Sequence, residues 1–192
     1  MHKPRILADH DSMVLLVDMQ TGLLPAIAGS EALVGRVERL LAAARRLGVP
    51  VLATEHCADK IGATDPRLRM LVEDVLHKVH FDATRETDML RRLPVGRHNV
   101  LVVGTEAHVC VLQTALGLAA AGLVPWMVTD GVGSRQESDR AAALQRWLAS
   151  GGNVLSSEMA MLEWLGSAQH PEFREVLALI KGTVASSDTI VS

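Results

Sequence analysis

Short runs of apolar residues alternate with segments of helical periodicity along the 192 residues of the chain. A run without polar interruption indicates a strand covered on both faces, because a strand with one solvated face alternates apolar and polar residues. Six strands are predicted, at residues 13–17, 50–54, 75–79, 99–103, 124–129 and 153–156.

The residues between these strands have the apolar spacing of amphipathic helices. Helices are predicted at residues 30–48, 86–93, 109–121, 138–149, 159–165 and 171–180. Ser30 is a suitable cap for the first helix and Gly48 a suitable end, while Pro94 stops the second. The residues after Gly182 receive no firm assignment.

Strands and helices that alternate in this way predict parallel pairing, since parallel strands are joined by helical crossovers. We therefore predict a single α/β domain over residues 1–192. Its expected architecture is a Rossmann-like, three-layer sandwich, with a sheet of about six mostly parallel strands and helices on both faces. Neither an internal repeat nor a linker-like segment divides the chain.

The composition limits the kinds of molecule that the protein is expected to bind. The net charge is only −3 and aromatic residues make up 3% of the chain, so we expect neither a nucleic-acid nor a membrane partner. No apolar segment of signal-peptide type occurs near the first residue, which predicts a cytoplasmic protein. The two cysteines, Cys57 and Cys110, are too few for a disulfide framework, and each is a possible reactive thiol.

In open parallel sheets, ligands bind beyond the carboxyl ends of the strands. Cys110 lies near the start of the helix that follows the fourth strand. The free amides of a first helical turn stabilise a thiolate, so this position predicts a lowered pKa and a nucleophile for acyl carbon. The alternative is a buried, unreactive cysteine, a common state of free thiols.

Two charged residues are expected at the same edge of the sheet. Asp18 directly follows the first strand and is suited to take the thiol proton, although a turn-capping role is the alternative. Lys78 ends the third strand, where an ammonium would favour the thiolate and hold the carboxylate, unless it is a surface lysine.

Three segments resemble a known family. They are VDMQ at residues 17–20, HKVHF at 77–81 and GTEAHVCV at 104–111. In order and spacing they are similar to the motifs of the isochorismatase-like cysteine hydrolases, and the resemblance covers nearly the whole chain. Within that family the chain looks most like the isochorismatase-domain-containing hydrolases whose substrates are mostly unassigned.

The resemblance implies a triad of Asp18, Lys78 and Cys110 that hydrolyses a small carboxamide or related C–N bond through an acyl-enzyme, without a cofactor. It also implies a cis peptide between Thr105 and Glu106, and an oxyanion hole formed by the main-chain amides of Glu106 and Cys110. Family members generally form dimers or larger rings, so a homo-oligomer that binds a small-molecule substrate is expected.

Four further residues are predicted to line the substrate pocket from their places near the triad: Gln20, Glu55, Phe81 and His108. The nicotinamidase branch of the family binds a metal through an Asp-x-His element after the second strand. Here the segment reads TEHC at residues 54–57, so we predict no metal. Glu55, His56 and Cys57 nevertheless remain possible zinc ligands.

Four other functions are alternatives to the cysteine hydrolase. A haloacid-dehalogenase-type phosphatase needs a second aspartate where the chain has Gln20, and a dinucleotide-binding protein needs a glycine-rich fingerprint after the first strand. True isochorismatases act on a vinyl ether without using the cysteine. The alternative that stays open is a protein that keeps the fold for binding or assembly and does not catalyse a reaction.

Overall fold

Six strands form one parallel sheet in a computed structural model that describes residues 6–182. The strands are β1 (Ser12–Val17), β2 (Val51–His56), β3 (Asp74–Lys78), β4 (Asn99–Thr105), β5 (Val124–Gly133) and β6 (Asn153–Leu155). Their order across the sheet is β3-β2-β1-β4-β5-β6, and each adjacent pair is parallel. The predicted parallel sheet of six strands is confirmed.

Helices cover both faces of the sheet. They are α1 (Ser30–Arg46), α2 (Ala58–Ile61), α3 (Pro66–Arg69), α4 (Met89–Arg92), α5 (Leu112–Ala120), α6 (Glu137–Ala149), α7 (Ser157–Leu165) and α8 (Phe173–Lys181). In β1, Val14 and Leu16 pack in the core that α1, α7 and α8 cover, whereas Met13, Leu15 and Val17 pack in the core beneath α5 and α6. The three-layer arrangement explains why β1 is apolar at consecutive positions.

Two predicted elements differ from the structure. The helix expected at residues 86–93 is reduced to α4, preceded by a short 3₁₀ turn (Ala83–Arg85). The fifth strand is longer than predicted and extends to Gly133. Its pairing with β4 shifts register between Val102 and Gly104, and the later part of the strand contains polar and glycine positions that interrupt the apolar run.

The strand order reverses between β1 and β4, because β1 has β2 on one side and β4 on the other. Such a reversal opens a crevice beyond the carboxyl ends of the two strands. The strands approach closely there: Gly104 has a φ of 139°, and a Cβ at this position would collide with the carbonyl group of Val17. The site described below lies at this end of the sheet.

Within residues 6–182, no helix is both long enough and apolar enough to cross a lipid bilayer.

Candidate active site

A buried ion pair joins the ends of β1 and β3. Lys78 Nζ lies 2.7 Å from Asp18 Oδ2, and both side chains are completely inaccessible to solvent. Thr54, on the intervening strand β2, donates a hydrogen bond of 2.7 Å to Asp18 Oδ1. Oδ1 therefore has a hydrogen-bond donor and Oδ2 faces the ammonium in an ion pair, so the buried charge is compensated.

The main chain at Asp18 is held in a sharp turn. Its φ is 51°, in the left-handed region that aspartate enters more readily than most residues. The N–H of Asp18 donates to the carbonyl of Thr54 at 3.1 Å, and its own carbonyl accepts a 2.5 Å hydrogen bond from Thr105 Oγ1. Hydrogen bonds to Thr54 on β2 and Thr105 on β4 therefore fix the main chain from which the Asp18 carboxylate extends.

Lys78 has a second partner in the loop after β3. Its Nζ donates to the carbonyl of His80 at 3.2 Å. That loop is fastened by Glu86, whose Oε1 accepts from the N–H groups of Val79 and His80 at 2.9 and 3.1 Å. Burial by itself raises the pKa of Glu86, but these hydrogen bonds and the His80 ring lower it to about 2. An ionised Glu86 therefore stabilises the loop that receives the Lys78 ammonium.

Cys110 completes the cluster from the other side of the crevice. It lies in a single π-helical turn (Ala107–Val111) between β4 and α5, and only 5% of its surface is exposed. Burial and the negative charge of Asp18 raise the pKa of the thiol to about 12, although the Lys78 ammonium acts in the opposite direction. The structure places Cys110 close enough to Asp18 and Lys78 for the charges of both to act on the thiol pKa.

The predicted lowering of the Cys110 pKa is wrong. The prediction rested on amides at the start of a helix, but burial outweighs that contribution because a thiolate without water is strongly disfavoured. The resting side chain is a neutral thiol.

The predicted cis peptide between Thr105 and Glu106 is also wrong, since no peptide bond within residues 6–182 is cis. The chain turns here through Glu106 itself, whose φ and ψ of 55° and 63° are left-handed. Its carbonyl accepts hydrogen bonds from Val109 and Val111 at 2.8 and 3.4 Å. These bonds close the turn that carries Cys110.

The side chains of Gln20 and Glu55, both predicted to line the pocket, make hydrogen bonds to the segment after β2. The Gln20 amide donates to the carbonyls of His56 and Gly62 at 3.1 and 2.6 Å and accepts from the His56 N–H at 2.8 Å. Glu55 Oε1 accepts from both the N–H and the hydroxyl of Thr64 at 2.8 Å. Both buried side chains fasten the segment that follows β2.

Phe81 and His56 lie together near the end of β3. Their ring centroids are 5.4 Å apart, and Phe81 is 49% exposed. Burial and the Lys78 ammonium lower the pKa of His56, so its ring is neutral at neutral pH. A cavity of about 400 Å³ opens beside Lys78, with Cys57 and Glu86 in its wall.

No three His, Cys, Asp or Glu side chains in the described part of the chain are grouped so that they could hold a metal ion. Cys57 Sγ is 3.6 Å from His56 Nε2, but Glu55 is bonded to Thr64 and lies 3.3 Å from the His77 ring. Glu55, His56 and Cys57 therefore do not converge on one point.

His108, the last predicted pocket residue, is on the π-helical turn itself. Its Nδ1 is 3.1 Å from the hydroxyl of Ser134, and a quarter of its side chain is exposed. The hydroxyls of Thr54 and Thr105 bind the side chain and the carbonyl of Asp18, a role that the sequence did not predict, although Thr105 was expected in the cis peptide. Thr54 is the first polar residue of β2 and Thr105 ends β4, so a polar residue after an apolar run is the signal that could have found them.

Comparison with known proteins agrees with this geometry. Residues 12–159 match the family model of the isochorismatase domain. The chain belongs to the isochorismatase-like hydrolase family. It is 35% identical over 187 residues to isochorismatase domain-containing protein 2A of Mus musculus, a match that covers 95% of this chain and 88% of the mouse protein. The family resemblance seen in the three motifs is confirmed.

Solved structures share the fold of this isochorismatase-like chain. The MAR1 ribonuclease of Caenorhabditis elegans superposes with a TM-score of 0.85 at 30% identity, over 97% of this chain and 96% of the other. The YcaC gene product of Escherichia coli, described as an octameric hydrolase of unknown specificity, superposes with a TM-score of 0.82 at 22% identity. That match covers 95% of this chain and 100% of the other.

Proposed function

We propose that this protein is a cysteine hydrolase that cleaves a carboxamide or related C–N bond of a small molecule through an acyl-enzyme. The observation that supports it best is the buried Asp18–Lys78 ion pair, whose two charges both act on the nearby Cys110 thiol. A nucleophile, a proton acceptor and a fixed positive charge then meet at the crevice where the strand order reverses.

The first half of the reaction forms the acyl-enzyme. With a pKa of about 12, only roughly one Cys110 thiol in 10⁵ is ionised at neutral pH, so the proton must leave as the sulfur attacks. Asp18 accepts that proton while Sγ bonds to the carbonyl carbon. The carbonyl oxygen gains the negative charge, and the main-chain amides of Glu106 and Cys110 are the proposed donors to it.

The second half releases the products. Asp18 passes its proton to the nitrogen as the C–N bond breaks, and ammonia or an amine leaves a thioester on Cys110. Water then attacks the thioester and gives a proton to Asp18. When the C–S bond breaks, that proton returns to sulfur and the carboxylic acid departs. Lys78 keeps the Asp18 carboxylate in place through both halves.

The setting of the enzyme is part of the proposal. Both cysteines are free thiols, which fits the reducing cytoplasm. A homo-oligomer is proposed because the YcaC protein, which shares the fold, is described as octameric. Light scattering coupled to size-exclusion chromatography tests this point, and a monomer at micromolar concentration contradicts it.

A substrate panel tests the chemistry. Amides, ureido acids and hydroxamates are screened for release of ammonia or acid, with Cys110→Ala as the blank and Cys57→Ala as the matched control. Hydrolysis by the wild type and by Cys57→Ala, but not by Cys110→Ala, is expected. Hydrolysis that survives in Cys110→Ala contradicts the proposal.

The same panel separates the alternatives. RNA is included because the Caenorhabditis elegans relative is named a ribonuclease. Turnover of no compound, together with saturable binding of one, would favour the binding protein that retains the hydrolase fold.

A further inference from the structure

The turn that carries Cys110 is held by a charged side chain from outside the triad. Arg135, which follows β5, places its Nε 2.6 Å from Oε1 of Glu106. The Glu106 side chain is 12% exposed, whereas that of Arg135 is 60% exposed. A carboxylate that has lost nearly all of its water therefore depends on a cation that reaches in from the surface.

The other oxygen of Glu106 makes that dependence stronger. Oε2 is buried and has no hydrogen-bond partner among the described residues, and the ring of His108 is 3.6 Å from it. The His108 Nδ1 is engaged instead with Ser134 Oγ at 3.1 Å. Arg135 thus supplies the close ion pair to this carboxylate.

Ser134 and Arg135 form one clasp on the turn, because they are adjacent in the connection from β5 to α6. Ser134 is buried and its carbonyl accepts a hydrogen bond from the N–H of Ala28 at 3.1 Å. The clasp is therefore anchored to another part of the fold. On the turn side, it reaches residues two and four positions before Cys110, where the main chain of Glu106 is left-handed and needs support from its surroundings.

We propose that Arg135 is a positioning residue that acts through Glu106. By fixing the Glu106 carboxylate, it fixes the left-handed main chain that orients the Cys110 thiol and the amides of the turn. The kinetic effect rests on the proposed hydrolase function. A displacement of about 1 Å costs up to ~10²-fold in rate when reacting groups are misplaced, so Arg135→Ala should lower kcat by roughly 10- to 100-fold with KM nearly unchanged.

A double-mutant cycle tests whether Arg135 acts through Glu106. Arg135→Ala, Glu106→Gln and the double variant are compared with the wild type, and Arg91→Ala is the control. Arg91 is 80% exposed and lies 4.0 Å from Asp88. The double variant should lose no more kcat than the worse single variant, and Arg135→Lys should recover part of the loss. If the two losses of kcat multiply in the double variant, or if only KM changes, the proposal is overturned.

A second readout does not require turnover. The rate at which iodoacetamide modifies Cys110, followed by peptide mass spectrometry, is measured in the same variants at a temperature where circular dichroism shows them folded. Arg135→Ala and Glu106→Gln should each change this rate at least threefold, and the double variant should match one of them. If the wild type hydrolyses nothing, this cycle still decides the role of Arg135. Alkylation rates equal to that of the wild type would refute it.

Discussion

Asp18→Asn is expected to make Cys110 more reactive toward an alkylating agent while removing turnover. The two effects separate because Asp18 has two roles in the proposed site. Its negative charge raises the pKa of the neighbouring thiol, and its carboxylate accepts the thiol proton during attack. Asparagine removes the charge, leaves the Lys78 ammonium beside the thiol, and cannot accept the proton.

The size of each effect follows from the charges at the site. A neighbouring charge shifts a pKa by about 1–3, and we expect the lower figure here because burial is the larger cause of the raised Cys110 pKa. If the Cys110 pKa falls by about one, the thiolate fraction rises ~10-fold. Each thiolate is then ~3-fold less nucleophilic, so labelling should accelerate ~3- to 4-fold. Loss of a general base typically lowers turnover ~10²- to 10⁴-fold.

The assay follows alkylation of Cys110 by iodoacetamide under pseudo-first-order conditions, with Cys57 in the same molecule as the reference thiol. Lys78→Met is the opposing variant: it removes the cation that lowers the thiol pKa, so its labelling should slow. Slower labelling of Asp18→Asn, or faster labelling of both variants, would refute the electrostatic argument. Near wild-type kcat in Asp18→Asn would refute the assignment of the base.

Stability must be controlled in that experiment, because either single variant leaves a buried charge without its partner. Such a loss costs about 3–5 kcal/mol, which lowers Tm by roughly 6–20 °C in a protein of this size. The variants are therefore compared at a temperature where circular dichroism shows them folded. The double variant Asp18→Asn/Lys78→Met should recover part of the stability but none of the turnover, since the charges are removed together.

Two further predictions concern stability. The folded-state pKa of Cys110 lies above its ordinary value of 9.0, so its contribution is complete below pH 9 and is lost as the pH rises toward 12. Chemical unfolding across this range should show the wild type losing ~1.4 kcal/mol per pH unit more than Cys110→Ala; parallel curves contradict the raised pKa. Gly104→Ala should lower the unfolding free energy by more than ~3 kcal/mol, since its Cβ meets the Val17 carbonyl. Gly96→Ala, at a positive φ of 82° with no atom within 4 Å, should cost only ~1 kcal/mol; equal losses contradict the steric argument.

The sheet could be predicted because its central strands are covered on both faces. Residues 13–17 and 100–103 are therefore uninterrupted apolar runs, and no solvated face disguises them. The same property identified part of the site. Asp18 directly follows such a run, Lys78 ends the edge strand β3, and parallel pairing brings both strand ends to one edge of the sheet.

The rest depends on contacts that no local pattern records. The helix start beside Cys110 is visible in the sequence, but the burial that reverses the expected pKa shift comes from the packing of distant segments. Glu106 follows β4 and Arg135 follows β5, and nothing in the sequence around either residue indicates that their side chains pair. Gln20 was expected in the pocket because it is near Asp18, whereas its amide is taken up by carbonyls far along the chain.

The raised pKa of Cys110 makes Asp18 essential to the proposed mechanism. A cysteine that is already a thiolate attacks without giving up a proton, but a neutral thiol must transfer its proton to a base as it attacks. At rest the site contains a carboxylate, an ammonium and a neutral thiol, so its net charge is zero. After attack, Asp18 is protonated and the negative charge lies on the carbonyl oxygen, and the net charge with Lys78 is still zero. Because no net charge appears or disappears in the buried site, attack avoids the desolvation cost of creating an isolated thiolate.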